Sequence, residues 1–399
     1  MPHSGSRLPK SEATRQRLLD CAVAEIVESG PDRIGFTAIA KRADMSTGAL
    51  YARYENGDEL VIDIWHERAL PALCVLADNI VEACVGQERK EARRRLISTM
   101  NSRDPESMAA VLILVAARRN EVLHEVVAPS VSSLYDRTAK EFPVVGIMLA
   151  HFLGELLLIR GANLQNVDWS GVVGMLCHAA KTSLAHPIDV PLVDVTFPNL
   201  VFPELDEFDT ALFTAVSDVI GRVGVENATI SRIARKAAVN PASIYLRYAD
   251  KNELLSRAVE IVLDAVAHGN DALNEGFVNN ESVLSQSISM WHARAGKEYE
   301  SVRNLRLELM SAAGQHESLS KVMAAKYAEM EKNDLAEMGF GDANADPFVR
   351  PFTLFNRALF FGQAILLLYG LLSINEEHFP SFMNSVLTTL AEGRARLTS

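Results

Sequence analysis

Cysteine is scarce in this sequence, and its distribution limits the classes of protein. Only four cysteines occur in 399 residues, none of them in a C-x-x-C pair, and none follows Cys177. This pattern excludes a disulfide framework and a cysteine-based zinc site, and it fits a reducing compartment. The ten histidines are scattered and form no His-x-x-x-His pair. We therefore expect no metal site.

The motifs of common enzyme classes are missing as well. The sequence has no G-x-S-x-G nucleophile elbow, no G-x-G-x-x-G nucleotide fingerprint and no P-loop. Residue types alone do not exclude a Ser/His/Asp triad, but no local signature indicates one. We expect a protein that is not an enzyme, with no catalytic residues and no cofactor.

Positively charged residues and long apolar runs are also scarce. Lys plus Arg number 39 against 51 Asp plus Glu, so the net charge of −12 excludes a uniformly basic nucleic-acid coat, though not a local basic patch. The polar start, Met1 to Lys10, lacks the apolar core of a signal peptide. The longest apolar run, Ala358 to Leu372, is broken by Gln363 and is shorter than the ~20 residues of a membrane span. We expect a cytoplasmic protein with no membrane segment.

The sequence does contain an internal repeat. When it is shifted by 194 residues, Ile39-Ala40-Lys41-Arg42-Ala43 aligns with Ile233-Ala234-Arg235-Lys236-Ala237. Leu50-Tyr51-Ala52-Arg53-Tyr54 aligns in the same register with Ile244-Tyr245-Leu246-Arg247-Tyr248. The register holds over about fifty residues, with apolar positions matched to apolar positions. Such a repeat indicates two copies of one unit of about 200 residues.

A proline-rich segment separates the copies. Four prolines fall within residues 187–203 and exclude a helix there. We expect an extended, semi-stiff connector that lies along the protein surface. The predicted domains are a head (residues 1–62) and a larger body (63–186) in copy one, the linker (187–204), and a head (205–256) and body (257–399) in copy two.

The apolar pattern predicts an all-α protein, because no strand-like alternation stands out. In copy one a first helix carries Leu18 to Ile26 on one face and ends at Gly30-Pro31. A second helix around Ile39–Ala43 and a tight turn follow, and Ser46 can cap a third helix from Thr47 to Tyr54.

Copy two repeats the arrangement. Thr229 can cap its second helix, and Asn240-Pro241 is a strong start signal for its third. Two short helices joined by a turn of three or four residues form a helix-turn-helix. The sequence therefore predicts a helix-turn-helix head at the start of each copy.

A helix-turn-helix places its second helix in the major groove of DNA, with the first residues of that helix at the base edges. Those residues must be small or polar so that the backbone can approach, and flanking groups hold phosphates. The predicted base-facing residues are Ser46, Thr47, Gly48 and Ala49 in copy one and Asn240, Pro241, Ala242 and Ser243 in copy two. The predicted phosphate contacts are Lys41, Arg42, Tyr51 and Arg53 in copy one and Arg235, Lys236, Tyr245, Arg247 and Lys251 in copy two.

These residues resemble the motif of the tetracycline-repressor (TetR) family of transcriptional regulators, T-x-x-x-I-A-x-x-A-G-V-S-x-G-T-L-Y-x-Y/H-F-x-x-K-x-x-L. Copy two matches it at Thr229, Ile233-Ala234, Ala237-Ala238-Val239-Asn240, Ile244-Tyr245, Tyr248, Lys251 and Leu254. Copy one matches it at Ile39-Ala40, Ala43-Asp44-Met45-Ser46, Gly48-Ala49-Leu50-Tyr51, Tyr54 and Leu60. The resemblance implies a DNA-binding head, a helical ligand-sensing body, and pairing through the last two helices of each body.

Each copy departs from that motif. Gly57 stands where the family usually has a lysine that begins the fourth helix, and Gly35 replaces the helix-capping threonine. Copy two keeps Lys251, but it has an acidic lead-in that opposes phosphate binding, comprising Glu204, Asp206, Glu207 and Asp209. Affinity for DNA must therefore come from a few placed cations.

Each body also has a strongly apolar helix, Val144–Leu164 in copy one and Phe352–Leu372 in copy two. By the resemblance, these helices and the final helices near Val172–Leu184 and Phe382–Arg394 form a four-helix interface within one chain. The same residues would be buried if each helix were only the core of its own body. We predict an internal pseudo-dimer, and a further homodimer of chains stays open.

The family also implies a small-molecule effector, which the residues do not identify. The weak ligand-binding candidates are Trp169 in copy one and Met290, Trp291, Tyr299 and Met310 in copy two. Each of these residue types is more often plain core. Two functions stay open: a repressor whose single chain binds an asymmetric double-stranded DNA operator, and a ligand-binding or interaction protein of the same fold that has lost DNA binding.

Overall fold

The structure is a computed structural model that describes residues 10–140, 142–164, 167–195, 205–276, 283–337, 349–374 and 377–398. Across these ranges the chain consists of helices and connecting loops, with no strand. The predicted all-α tandem duplication is confirmed. Copy one contains α1 (Lys10–Ser29), α2 (Phe36–Arg42), α3 (Thr47–Tyr51), α4 (Gly57–Ile64), α5 (Leu70–Val85), α6 (Arg89–Ser102), α7 (Pro105–Ala117), α8 (Glu121–Thr138), α9 (Pro143–Gly161) and α10 (Trp169–Ala185).

Copy two follows the same order at its start. It contains α11 (Glu207–Asn227), α12 (Ile230–Ala237), α13 (Pro241–Tyr245), α14 (Lys251–Gly276), α15 (Val283–Ala295), α16 (Glu300–Ala313), α17 (Glu317–Glu337), α18 (Val349–Leu367) and α19 (Phe379–Thr398). Short 3-10 helices lie at Pro31–Arg33 and Lys297–Tyr299.

The local signals in the heads act as predicted. Gly30 and Gly224 are equivalent in the repeat, and both have positive φ angles, 79° and 76°, which glycine adopts without strain. The Ser46 hydroxyl accepts a hydrogen bond from the Ala49 N–H at 3.2 Å, and the Thr229 hydroxyl accepts one from the Arg232 N–H at 3.3 Å. Gly35, at the start of α2, provides no side-chain cap.

Each head shares a helix with its body. In copy one α4 continues through a π-helical turn, Trp65–Ala69, into α5, and in copy two α14 runs unbroken from Lys251 to Gly276. The predicted boundaries after residues 62 and 256 therefore fall inside helices. The backbone of each head is therefore continuous with that of its body through helical residues.

The described part of the linker is extended and lies on copy two. The Ser285 hydroxyl donates a hydrogen bond to the Pro191 carbonyl oxygen at 2.5 Å, and the Val193 N–H donates one to the Ser289 hydroxyl at 2.8 Å. Both serines belong to α15, so this part of the linker follows a helix of copy two. Residues 196–204 of the predicted linker lie outside the described residues.

The two strongly apolar helices pack directly against each other, as the pseudo-dimer requires. A Cβ atom added to Gly154 in α9 would lie 2.9 Å from the Cα atom of Ala358 in α18, and one added to Gly362 in α18 would lie 2.8 Å from the Cα atom of Ala150 in α9. Each glycine thus contacts the residue one turn before the other glycine. Such reciprocal contacts are the signature of a two-fold axis.

The final helices repeat this symmetry. The Ser183 hydroxyl in α10 donates a hydrogen bond to the carbonyl oxygen of His378 at 2.7 Å, and the Ser381 hydroxyl in α19 donates one to that of His186 at 2.6 Å. The helices α9, α10, α18 and α19 therefore form a four-helix interface between the two halves of one chain.

One described helix, α9, is long and apolar enough to cross a membrane by length and composition. The run from Ala358 to Leu372 noted in the sequence does not have this length and composition. However, nearly all residues of α9 are buried inside the protein. Its hydropathy is therefore explained by its central place in the interface.

Candidate nucleic-acid interface

The predicted base-facing residues lie at the exposed starts of α3 and α13. Leu50 and Ile244 anchor these short helices in the head cores, where both are buried. On the outer side Ser46, Gly48, Asn240, Pro241 and Ala242 are exposed, and Thr47, Ala49 and Ser243 are partly exposed. Small side chains at these positions leave the helix backbone open to a close approach.

Two of these residues also cap their helices. The Ser46 hydroxyl is bonded to the Ala49 N–H, and the Asn240 side-chain oxygen accepts a hydrogen bond from the Ala242 N–H at 2.9 Å. Bidentate pairing of asparagine with adenine uses both its oxygen and its nitrogen. Reading of adenine by Asn240 therefore competes with the start of α13, and only its amide N–H₂ group stays available for a base edge.

The tyrosines of the heads divide into an outer and an inner pair. Tyr51 and Tyr245, both predicted to contact phosphate, are 62% and 56% exposed. Tyr54 is 8% exposed and donates a hydrogen bond to Asp63 at 2.5 Å, while Tyr248 is half-buried and donates one to Asp209 at 3.2 Å. Burial raises the pKa of Tyr54 and raises that of Tyr248 to about 12. The inner pair is thus structural, and the outer pair is available to a ligand.

The predicted phosphate-binding cations of copy one are all exposed. Arg42 is engaged within the head, with its guanidinium 2.6 Å from Glu28 and 3.7 Å from Glu25. Lys41 and Arg53 make no ion pair within the ranges that the structure describes. Copy one therefore presents two uncommitted cations beside α3.

The cations of copy two are more heavily engaged. Lys236 lies 2.9 Å from Asp218. Arg247 lies 2.9 Å from Asp206 and 2.8 Å from Asp209, so the acidic lead-in noted in the sequence neutralises it. Arg235 is exposed and, in the described part of the chain, has no ion pair.

Lys251 has a structural role that its place in the motif did not reveal. Its ammonium group donates hydrogen bonds to the carbonyl oxygens of Val225, at 2.7 Å, and Glu226, at 3.3 Å. Burial lowers its pKa. The equivalent Gly57 packs against Ile34, whose Cγ2 atom would lie 2.9 Å from an added Cβ. Lys251 thus closes the end of α11, and a phosphate would have to compete with that contact.

A network of charged residues connects the two copies, and no sequence motif predicted it. Arg33 of head one lies 2.5 Å from Glu226 of head two, which also bonds His316 at 2.7 Å. Beneath them Arg118 and Arg119 lie 2.8 and 3.0 Å from the buried Glu308, and Arg119 also pairs with Asp32. The heads are therefore joined to each other as well as to their bodies. The one sequence signal of this network is the carboxylate of Glu308, which stands between Leu307 and Leu309.

Comparison with known proteins agrees with this geometry. The family described as "Bacterial regulatory proteins, tetR family" matches the chain twice, at residues 18–64 and 213–258. Each match runs from the first helix of a head through its helix-turn-helix into the helix shared with the body.

Both heads of the chain are similar to the TetR family.

A curated relative extends the comparison. The HTH-type transcriptional regulator AqdR of Rhodococcus erythropolis is 39% identical over 62 residues, which make up 15% of this chain and 30% of that regulator. The chain thus spans less than a third of this relative's length. The TetR-family resemblance predicted from the motif is confirmed in both copies.

Proposed function

We propose that this chain, whose two heads are similar to the TetR family, is a DNA-binding transcriptional regulator that acts in the cytoplasm, and that it represses transcription until a small molecule releases it from its operator. The observation that carries the proposal is the pair of helix-turn-helix heads with exposed starts of α3 and α13, mounted on one reciprocal four-helix interface. A TetR-family reader needs two heads, and this chain supplies both. No catalytic step enters the proposal.

The two heads differ in how many of their cations are already paired, and we infer unequal roles. Lys41 and Arg53 beside α3 are uncommitted, whereas Arg247 beside α13 is paired with two aspartates. A cation that is already paired gains less from a phosphate, because it must first lose its carboxylates. Head one therefore supplies more of the affinity, and head two adds a second, weaker reader.

The form of the DNA operator follows from two properties of the heads, their fixed separation and their different base-facing residues. The Arg33–Glu226 contact and the α9–α18 packing hold the heads at one separation. Thr47 offers a hydroxyl and a methyl group, whereas Pro241 offers no donor. Two unlike readers at a fixed distance fit an asymmetric operator, with half-sites about one helical turn (~34–36 Å) apart or a multiple of it.

Fluorescence anisotropy with the chain's own upstream DNA tests the proposal. Arg53→Ala should weaken binding to all sequences alike and lower the slope of log K against log salt by about one unit, because phosphates carry no base identity. Arg247→Ala should have a smaller effect. Arg94→Ala in α6 is the matched control, since it removes an exposed arginine from a body.

A second candidate function rests on the engaged cations. Arg42, Lys236, Arg247 and Lys251 all have partners inside the protein, which supports a ligand-binding or interaction protein that has lost DNA binding. Under this alternative, the chain binds neither its upstream DNA nor random DNA above a nonspecific level. An Arg53→Ala variant that behaves like Arg94→Ala would also favour it.

A further inference from the structure

A polar cavity lies where head two meets the body of copy two and the end of α7 in copy one. Its volume is about 220 Å³, it opens to solvent, and it is lined by α11, by the first turn of α16 and by Arg118 of copy one. The two helices approach closely beside it, because a Cβ atom added to Gly221 would lie 3.5 Å from the Ser301 carbonyl oxygen. Since a water molecule takes up about 30 Å³ of the liquid, the cavity has room for on the order of seven non-hydrogen atoms.

Most of the polar side chains that line the cavity have no partner in the protein. Within the described residues, no side-chain hydrogen bond or ion pair is made by Ser217, Arg222, Glu300, Ser301 or Asn304. The hydroxyl of Ser217 is also buried, and a buried hydroxyl without a hydrogen bond destabilises a protein. A bound molecule that reaches this hydroxyl would compensate that cost.

Two arginines supply positive charge at the cavity. Arg118 bonds the buried Glu308 through a terminal nitrogen at 2.8 Å, but its Nε atom has no hydrogen-bond partner in the described part of the chain. Arg222 is exposed and makes no ion pair there. Because a guanidinium group binds a carboxylate through two parallel N–H donors, Arg222 is suited to hold the carboxylate of a small molecule.

Carboxylates supply the opposite charge. Asp218 is already paired with Lys236 at 2.9 Å, whereas Glu300 pairs neither with Arg222 nor with another cation of the described residues. Glu300 would repel a simple anion, and Arg118 and Arg222 would repel a simple cation. A molecule that carries an ammonium and a carboxylate group on neighbouring atoms is matched to both signs.

Reciprocal contacts identify the equivalent position in copy one. A Cβ atom added to Gly30 would contact the Gln315 side chain, and one added to the equivalent Gly224 would contact the Arg119 side chain. These contacts match Arg119, two residues after the end of α7, with Gln315, two residues after the end of α16. The two helices therefore align from their ends.

Copy one has core side chains at two of the polar positions. In this register Asn304 matches Met108, and the sequence repeat matches Ser217 with Val23. Met108 and Val23 are 6% and 3% exposed and belong to the hydrophobic core. The polar lining formed by Ser217 and Asn304 is therefore specific to copy two.

We propose that this cavity binds a small α-amino acid, with its carboxylate group on Arg222 and its ammonium group on Glu300. The remaining polar atoms of the ligand bond Ser217, Ser301 and Asn304. Because α11 belongs to head two and α16 to its body, the bound molecule contacts both. The role of such a ligand as effector rests on the regulatory function proposed above, whereas its binding does not.

The ligand-binding candidates from the sequence lie elsewhere. None of them lines this cavity, and four are core residues: Trp169, Trp291, Tyr299 and Met310.

Thermal-shift measurements on the full chain, without DNA, test the site with each of the common L-amino acids at millimolar concentration. We expect at least one small amino acid to raise the unfolding temperature, because a ligand that binds only the folded state stabilises it. Isothermal titration with that amino acid should give one site per chain. Its N-acetyl derivative and its carboxamide each lack one charge, so both should bind at least about tenfold more weakly through loss of a charge-assisted hydrogen bond.

Two variants locate the binding at this cavity. Arg222→Met should bind the amino acid at least about tenfold more weakly, whereas Arg94→Met, which removes an exposed arginine from α6, should bind it like the unmodified chain. Ser217→Ala should also bind more weakly, yet without ligand it should be at least as stable as the unmodified chain, since a buried hydroxyl without a partner is removed. Ser318→Ala, at an exposed serine of α17, is its control.

Three results would overturn the proposal: no amino acid that stabilises the chain, unchanged binding in Arg222→Met, or equal binding of the N-acetyl derivative. DNA binding is measured separately in the ligand-free chain. A failure of the regulatory function is therefore distinguishable from a failure of this site.

Discussion

The two interface glycines give the sharpest test of the internal pseudo-dimer. Replacing Gly154 or Gly362 by alanine adds one methyl group where the two helix backbones touch. The new Cβ at residue 154 would lie 2.6 Å from the carbonyl carbon of Ala358. Carbon atoms in contact prefer about 3.5–4.0 Å, and the carbonyl oxygen of Ala358 would lie closer still, so α9 and α18 must separate by at least about 1 Å. Backbone atoms cannot rotate aside as a side chain can.

The cost of that separation can be estimated from two opposing effects. Overpacking a well-packed contact costs about 1–3 kcal/mol, and here the shift loosens the packing along two long helices, which favours the upper end. This cost is partly offset, because alanine stabilises a helix by up to about 1 kcal/mol relative to glycine. We therefore expect each substitution to lower the free energy of unfolding by about 2 kcal/mol. The double variant should lose less than the sum, because the first methyl group already separates the helices.

Urea denaturation followed by circular dichroism measures these values. Gly174→Ala in α10 is the matched control, because an added Cβ there meets nothing within 4 Å, so it should be neutral or stabilising. Gly154→Ala or Gly362→Ala variants as stable as Gly174→Ala would refute the close packing of α9 and α18. Full additivity of the two would show that the glycines do not share one interface.

Two further predictions concern the heads. Glu226→Gln should destabilise the protein by about 1.5–3 kcal/mol at pH 7, the range for hydrogen bonds to charged groups. Burial raises the pKa of Glu226, but the His316 hydrogen bond and the Arg33 charge outweigh it and hold the pKa below its usual value. The difference in the free energy of unfolding between Glu226→Gln and the unmodified chain should therefore be largest above about pH 5 and shrink as the pH falls below about 4. Equal differences at pH 7 and pH 3.5 would contradict this. Tyr54→Phe should cost about 1 kcal/mol in urea denaturation through loss of the bond to Asp63, whereas Tyr51→Phe, its exposed neighbour, should be neutral.

The sequence was most informative where the signals are local. Ser46 and Thr229 cap their helices as predicted, because capping depends on only a few neighbouring residues. The third helix of head one was predicted to reach Tyr54 but ends at Tyr51, since helix ends fray and the last turn carries no stop signal. The interface helices could be placed because the repeat and the family resemblance supplied a partner for each apolar face.

The partners of the charged residues could not be predicted in the same way. Arg247 and Lys251 occupy motif positions, yet the structure commits them to Asp206, Asp209 and the end of α11. These contacts join residues 25 to 41 positions apart in the chain, so no local pattern encodes them. The Glu308 network depends on tertiary packing, and the charge of Glu308 in α16 does not by itself identify its partners.

Selection of binding sites from a random DNA pool tests the central claim most directly, that one chain with two unlike heads acts as a built-in dimer. Two unlike half-sites in a single orientation, at a fixed spacing of one helical turn or a multiple of it, are the predicted outcome. The half-site read by head two should change when Pro241 and Ala242 are exchanged for Thr and Gly, the residues at the equivalent positions of head one. A near-perfect palindrome among the selected sequences would contradict the asymmetric operator, and no enrichment at all would contradict DNA binding itself.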